Sequence, residues 1–334
     1  MRKNIIVTGG AGYIGSHVCK QLAFEGFNPI TVDNLSRGYE NFVKWGPLYQ
    51  TDLRDFESLL KIFKEENPIG VVHLASYAYV GESVNKPLHY YDNNVIGGIN
   101  LFKVMKECHI KNLVFSSSCA VYGTPNETPI TENEKLAPIN PYGQSKLILE
   151  NIIRDLIENA SINAVILRYF NASGADNEME IGECHKPETH LIPLAIRACM
   201  DESYYLSVFG NDYPTPDGTC IRDYIHVSDL ALAHVKSIKK MLIKPTFSAT
   251  INLGSGIESS VMDIIKTIEE ETGNSVKYKI KDRRLGVPPT LVSSILKAKK
   301  ELNWAPQFSN LSIIISSPLN WYNFHNSKKY RLFQ

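Results

Sequence analysis

The sequence predicts an α/β protein: a Rossmann-like, doubly wound parallel sheet joined to a smaller, discontinuous α+β region. Three observations predict it. Short apolar, β-branched runs alternate with amphipathic helical stretches through residues 1–170, which is the pattern of βαβ units. The first of these runs opens onto glycines spaced G-x-x-G-x-x-G at Gly9, Gly12 and Gly15. Beyond residue 170 the alternation gives way to stretches rich in Gly, Pro, Asp and Asn, and long irregular connections in a compact domain are usually functional.

The elements follow in order. Ile5, Ile6 and Val7 read as a strand buried on both faces. Val18, Cys19, Leu22 and Ala23 recur at helical spacing behind the glycines. Strand, glycine turn and helix form the context of a dinucleotide fingerprint. The tight turn needs a residue without Cβ, the pyrophosphate needs close backbone approach, and the helix N-terminus offers unpaired N–H groups. Residues 29–32 (PITV) make a second strand that ends at Asp33, 18 residues after Gly15, where an acid would hold the adenosine ribose. A carboxylate there repels a 2′-phosphate, so NAD is expected rather than NADP. Arg37 nearby is the feature that could oppose this. Residues 52–66 read as a helix with Phe56, Leu59, Leu60 and Phe63 on one stripe, 71–75 (VVHLA) as a strand and 95–105 as a helix. Residues 112–116 (NLVFS) form the next strand, 142–157 a strong amphipathic helix and 164–170 (AVILRYF) another buried strand. Residues 171–220 are expected to be irregular. The chain is expected to return to the sheet at 223–234 and 250–253, with a helix at 262–272 and a basic irregular stretch near Arg283 and Arg284. This divides the chain into a dinucleotide-binding part, 1–170 with returning segments near 223–254, and a substrate part, 171–222 with 255–334.

Composition narrows the function classes. Lys+Arg and Asp+Glu are both 35 in 334 residues, and with no basic run a nucleic-acid partner is not expected. Six cysteines are scattered without a C-x-x-C pair. Without a leader segment they read as free thiols in a reducing cytoplasm. No apolar stretch reaches membrane-spanning length, and no metal is expected.

The second motif is Y-x-x-x-K, Tyr142 and Lys146 in PYGQSK. Pro141 suits a first helical position, and i, i+4 side chains share one face. An isolated phenol titrates near pH ~10, and lowering that to about 7 takes roughly 4 kcal/mol, which neighbouring cations can supply. The third motif is the run Ser116, Ser117 and Ser118 at the carboxyl end of the NLVF strand, where open α/β sheets bind ligands. One of these hydroxyls could share a substrate proton with Tyr142.

TGGAGYIGSH, the serine run with VYG, NPYGQSK and LRYFN together resemble the extended short-chain dehydrogenase/reductase family. The later stretch FGNDYPTPDGTCIRDYIHVSDLA resembles its UDP-sugar 4-epimerase branch. The resemblance implies a tightly held NAD, reduced and reoxidised within one turnover that interconverts UDP-glucose and UDP-galactose at carbon 4. It implies Tyr142 as base, Lys146 as its partner and Ser118 as third member. It places Gly9, Gly12, Tyr13, Ile14, Gly15, Asp33, Asn34, Asp52, Leu53, Leu74, Ala75, Asn93, Ser116 and Tyr169 at the cofactor, with Tyr142 and Lys146. It places Asn171, His190, Leu191, Arg222 and Arg284 at the UDP-sugar, with Ser118 and Tyr142, and it implies a homodimer. The chain departs from the family at Ala78, where many members have a lysine, and at Val287, where an acid is usual. Leu291 replaces both residue types that distinguish use of N-acetylated sugars.

Related dehydratases carry Asp-Glu after the reacting serine or threonine, where this chain has Cys119 and Ala120. Neither can serve as the acid–base pair that elimination needs. Oxidation followed by hydride return is therefore the expected chemistry. The alternatives are a UDP-pentose (UDP-arabinose/UDP-xylose) or UDP-N-acetylhexosamine 4-epimerase, the former suggested by AYVGES at 78–83. A non-catalytic NAD sensor is the alternative of a different class.

Overall fold

The computed structural model of the chain describes residues 3–284 and 287–327. Its first half is the expected alternation: β1 (Asn4–Thr8), α1 (Tyr13–Phe24), β2 (Asn28–Asp33), β3 (Leu48–Gln50), α2 (Phe56–Glu66) and β4 (Gly70–His73). Then come α3 (Val80–Asn85), α4 (Pro87–Tyr90), a π-helical turn (Tyr91–Ile96), α5 (Gly97–Glu107), β5 (Asn112–Ser118), α6 (Pro141–Glu158) and β6 (Asn163–Tyr169). With β11 (Ala249–Leu253), seven strands form one parallel sheet in the order β11-β6-β5-β4-β1-β2-β3. The order reverses between β1 and β4, which opens the crevice where such sheets bind ligands. Both faces are covered. Val18 and Leu22 of α1 join Val7 and Val72 in one core, and Leu59, Phe63, Leu101 and Leu149 pack on Ile6 and Val71 in the other.

Several boundaries differ from the sequence expectation, each for a local reason. Residues 52–55 precede the helix, because the Asp55 side chain accepts from Ser58 N (3.2 Å) and starts α2 at Phe56. β4 ends at His73, so Leu74 and Ala75 lie beyond it. The helix expected from residue 95 begins inside the π-helical turn. β5 continues through Ser118, so the whole serine run is strand.

Residues 171–220 are not wholly irregular. They contain β7 (Asn171–Ser173), α7 (Leu191–Met200) and β8 (Leu206–Phe209). Nor do residues 223–234 rejoin the large sheet. After β9 (Ile221–Arg222), β10 (Tyr224–His226) pairs only with β7, and α8 (Val227–Ile243) packs on α1. Buried Val227, Leu230, Ala231 and Val235 suit a helix covering a sheet as well as a strand within it, so composition alone could not separate the two. Next come β12 (Ser259–Ser260), α9 (Val261–Thr272), β13 (Tyr278–Lys281), β14 (Thr290–Leu291), α10 (Leu296–Leu302) and α11 (Leu311–Ser327). α7, α9 and α11 enclose a separate core of Ile192, Ile196, Ile265, Ile315 and Trp321. β9 pairs with β12 and β14, which brings residues 221–222, 259–260 and 290–291 together.

Candidate active site

The glycine turn shows why each glycine stands where it does. Gly9 has φ +74°, and a Cβ there would lie 2.6 Å from Ala75 N. A Cβ on Gly15 would lie 2.0 Å from Gly9 O, so helix and turn could not approach. Gly12 differs: a Cβ would meet only Gly9 O at 3.3 Å. The protein's own packing barely requires glycine there, whereas close approach of a diphosphate does. No side chain caps α1, so the N–H groups of its first turn, at Tyr13 and Ile14, are available to an anion. The residues present therefore fit a dinucleotide. Tyr13 turns its hydroxyl away from the turn and donates to Gly174 O (2.6 Å), tying α1 to the segment after β7.

Asp33 closes β2 and accepts from Ala11 N (3.1 Å) and Leu35 N (2.9 Å). Burial pushes its carboxyl above the usual range, and the two amides pull it back. Asn34 donates to Asp52 (2.9 Å), which Arg54 holds well below the usual carboxylate range. Arg37 forms an ion pair with Glu82 (2.8 Å) and lies over Tyr79. Its charge is thus met by a carboxylate in the protein alone. NAD is expected to be the nucleotide released when the purified protein is denatured; recovery mainly of NADP would show that Asp33 does not read the ribose.

Leu74 N bonds to Thr8 O (3.0 Å) beside the turn, while Ala78 is exposed. The π-helical turn carries Asn93 and Asn94. Asn93 donates to Asn94 Oδ1 (3.0 Å), and buried Asn94 accepts from Tyr77 N (2.8 Å) and donates to Ser145 (3.0 Å). Asn94 fixes the 74–79 loop against α6, a role the sequence did not reveal, although adjacent asparagines before a helix were its only trace.

α6 begins as its sequence requires. Asn140 accepts from Gly143 N (2.8 Å), Pro141 sits in the first turn, and a Cβ on Gly143 would meet Ala120 O at 2.6 Å. That close contact sets Tyr142 beside the end of β5. Tyr142 is 9 % exposed; burial pushes its phenol up to about 12, and a hydrogen bond with Ser118 pulls it down. Lys146 donates to Ser116 O (2.8 Å), with Nζ 5.8 Å from the centre of the Tyr142 ring. Burial lowers its ammonium to about 7, against the charge of Glu150. In the protein alone, burial therefore keeps the proton on the phenol. Moving that phenol from about 12 to near 7 takes roughly 7 kcal/mol, more than the isolated-tyrosine figure. Ser116 bonds to the Tyr169 hydroxyl, linking β5 to β6.

Beneath the serines lies an ion pair the sequence did not reveal. Glu150, one turn beyond Lys146, accepts from Ser117 (2.5 Å) and from Arg168 Nε (2.9 Å). Arg168 also donates to Tyr122 (3.1 Å), whose hydroxyl donates to Asn252 (2.6 Å). The signal was a glutamate four residues after a lysine on a buried helix face.

Asn171 stands at the start of β7, its N–H on Asp223 O (3.0 Å). Asp223 accepts from Ser255 N (2.6 Å), Gly256 N (3.1 Å) and Ser293 Oγ (2.6 Å), which fixes the strand carrying Arg222. Arg222 donates only to the carbonyls of Ile221, Pro288 and Pro289, and its charge reaches the Cys119 thiol next to Ser118. Arg284 lies over Phe209 at 3.8 Å, whereas Arg283 is neutralised by Asp212. Among the described residues neither Arg222 nor Arg284 pairs with a carboxylate. Leu291, paired with Arg222 in register, packs on the Val121–Tyr122–Ile130–Phe170 cluster, and Val287 is part-exposed. His190 precedes Leu191 at the start of α7. Burial opposes a charged His190, but Glu183 and Glu188 outweigh it and push its pKa up to about 10.

Sheet order, glycine turn and ribose acid define a dinucleotide-binding α/β protein. The chain belongs to the NAD dependent epimerase/dehydratase family, whose sequence profile matches residues 5–254. It is 46% identical to the UDP-glucose 4-epimerase of Rhizobium meliloti (strain 1021) over 97% of this chain and 98% of that one. It is similar to the crystal structure of UDP-glucose 4-epimerase from Brucella ovis in complex with NAD: TM-score 0.92, 45% identity, 94% of this chain and 97% of that one. The Bifidobacterium longum UDP-glucose 4-epimerase structure, in complex with NAD+ and UDP, matches with TM-score 0.92 and 40% identity, over 97% of this chain and 99% of that one.

Proposed function

We infer that this chain is an NAD-dependent UDP-glucose 4-epimerase. It interconverts UDP-glucose and UDP-galactose. The observation that carries the reading is near-full-length identity of 41–46% to relatives that bear this activity. The pentose, N-acetylhexosamine and sensor readings have no comparable support.

Bound NAD supplies a hydride acceptor and a positively charged nicotinamide ring. We propose that Tyr142 takes the 4-hydroxyl proton and later returns it, with Lys146 stabilising the phenolate and Ser118 holding the hydroxyl. Arg222 and Arg284 grip the diphosphate, since guanidinium forks match phosphate oxygens; Asn171, His190 and Leu191 complete the UDP site. The sugar, held firmly through UDP and otherwise only at its 4-hydroxyl, would be free to present either face of carbon 4. In this reading residues 1–170 with β11 carry the cofactor, and 171–222 with 255–334 carry the UDP-sugar; residues 328–334 lie outside those described.

Elimination at carbons 5 and 6 is not supported by the side chains present. Burial pushes the Cys119 thiol up to about 11, so it stays protonated at neutral pH, and Ala120 cannot titrate. UDP-glucose incubated with the enzyme in heavy water is expected to give UDP-galactose with no deuterium at carbon 5. No 4-keto-6-deoxy sugar should form; deuterium there would mean that another residue acts as base.

We also propose a cytoplasmic homodimer. All six cysteines are free, which suits a reducing compartment, and no described helix is long and apolar enough to cross a membrane. Val84, Leu88 and Ile96, on the successive helical turns between residues 80 and 96, expose apolar side chains that a second copy could cover. Sedimentation should give twice the chain mass, and Leu88→Glu with Ile96→Glu should reduce it to the monomer.

A further inference from the structure

Just before α7, four donor side chains converge. His185 Nδ1 is 3.3 Å from Glu183 Oε1 and 3.5 Å from Glu188 Oε2; His190 Nδ1 is 2.8 Å from Glu183 Oε1 and 2.7 Å from Glu188 Oε1. All the donor atoms lie within 4.8 Å of one another. We propose that Glu183, His185, Glu188 and His190 form a binding site for a zinc-class divalent transition metal.

Geometry carries the proposal first. Four ligands at ~2.0–2.2 Å around a tetrahedral ion stand about 3.3 Å apart, and the carboxylate–imidazole distances here straddle that spacing. The second observation is the state of one donor: His185 Nδ1 is buried and faces both carboxylates, at 3.3 and 3.5 Å, without a well-aligned hydrogen bond to either. A buried imidazole nitrogen left unsatisfied is costly, and a metal bond would satisfy it.

Charge agrees. Among the described residues no lysine or arginine pairs with Glu183 or Glu188, whereas the neighbouring Asp176, Glu178 and Glu180 are all met by Lys20. Two glutamates, 5 % and 12 % exposed, have only the two histidines as cationic company. A divalent ion would balance both carboxylates, with the two imidazoles neutral. Imidazole and carboxylate ligands suit zinc and cobalt rather than a thiophilic ion, and the Cys184 thiol turns instead to Tyr39. Imidazole must be unprotonated to bind a metal, so uptake should strengthen as pH rises.

The ligands are also supported from outside. Tyr322 donates to Glu183 O (3.2 Å), and the Tyr13 and Tyr79 rings pack edge-on against His185 at 6.1 and 5.8 Å. Tyr13 follows the glycine turn, and residue 190 adjoins α7 and belongs to the UDP site proposed above. The ion would therefore lie at the edge of that site and hold the start of α7 against the cofactor turn.

The test uses the intact enzyme, dialysed against a chelator and titrated with cobalt(II) alone. The expected result is one bound equivalent with the visible ligand-field bands of four-coordinate cobalt. No thiolate charge-transfer band should appear, and added zinc should abolish the spectrum. His185→Asn and Glu183→Gln should each weaken cobalt binding at least about tenfold, since disturbing even outer partners of a metal site costs that much. Glu178→Gln, in the Lys20 cluster, should leave it unchanged. The proposal is overturned if the unmodified chain gives no such spectrum at millimolar cobalt, if a thiolate band dominates, or if folded His185→Asn binds as well as the parent. The first two results do not depend on any variant folding.

Discussion

Tyr142→Phe is expected to leave NAD bound and to slow epimerisation by at least about a hundredfold, the lower end of what a general acid–base group contributes. The phenyl ring of the variant fills the space of the tyrosine ring, so the packing around the end of β5 should hold. What disappears is the hydroxyl that bonds to Ser118 on the ring facing Lys146. The pH dependence follows from the same pair. Turnover needs the phenolate, so the rate rises with pH through the apparent pKa of the Tyr142–Lys146 pair. Removing the cation destabilises the phenolate and raises that pKa; Lys146→Ala should therefore move the acidic limb to higher pH. The measurements are the rate of UDP-galactose formation against pH and the absorbance of bound nucleotide. Near-normal turnover by Tyr142→Phe would discard the proposed base.

Glu150→Ala is expected to lower the free energy of unfolding by ~3–5 kcal/mol, the usual cost of removing one partner from a buried ion pair. Arg168 is 2 % exposed and would keep only uncharged acceptors, Tyr122 and the Glu132 carbonyl, while Ser117 would lose its acceptor. Urea unfolding at neutral pH measures the effect. A loss below about 1 kcal/mol would mean that water reaches the Arg168 guanidinium in the variant, so that no unpaired buried charge remains. Replacing both partners, Glu150→Gln with Arg168→Met, should recover much of the loss, because no unpaired buried charge remains. The pair lies under Ser117 and one turn from Lys146, so the single variant should also lower the Lys146 pKa further by removing a neighbouring negative charge.

The parallel sheet, the glycine turn and the placement of Tyr142 were legible in the sequence because each is a local property. β1, the turn and α1 occupy consecutive residues, and the glycine spacing records steric contacts made within that unit or with its neighbouring loop. Asn140 and Pro141 mark the start of α6, which places Tyr142 and Lys146 one turn apart on one face. The resemblance extended this to the arginines and to NAD, since short ordered motifs survive as words. Other features depended on chain segments distant in sequence. Whether residues 223–234 were strand or helix turned on what covered α1, not on their own apolar content. The upward push on Tyr142 came from burial by several elements, so a tyrosine–lysine pair read alone underestimated what its activation requires. Glu150 met Arg168 across 18 positions and Asp223 met Ser293 across 70, distances over which no periodicity operates. The Glu183–His190 cluster was written within eight consecutive residues and still escaped notice, because only the fold turns their side chains toward a common point. Sequence determined what is set by neighbouring residues and backbone sterics; the tertiary structure decided which charges are buried, which are paired, and which remain open to a ligand.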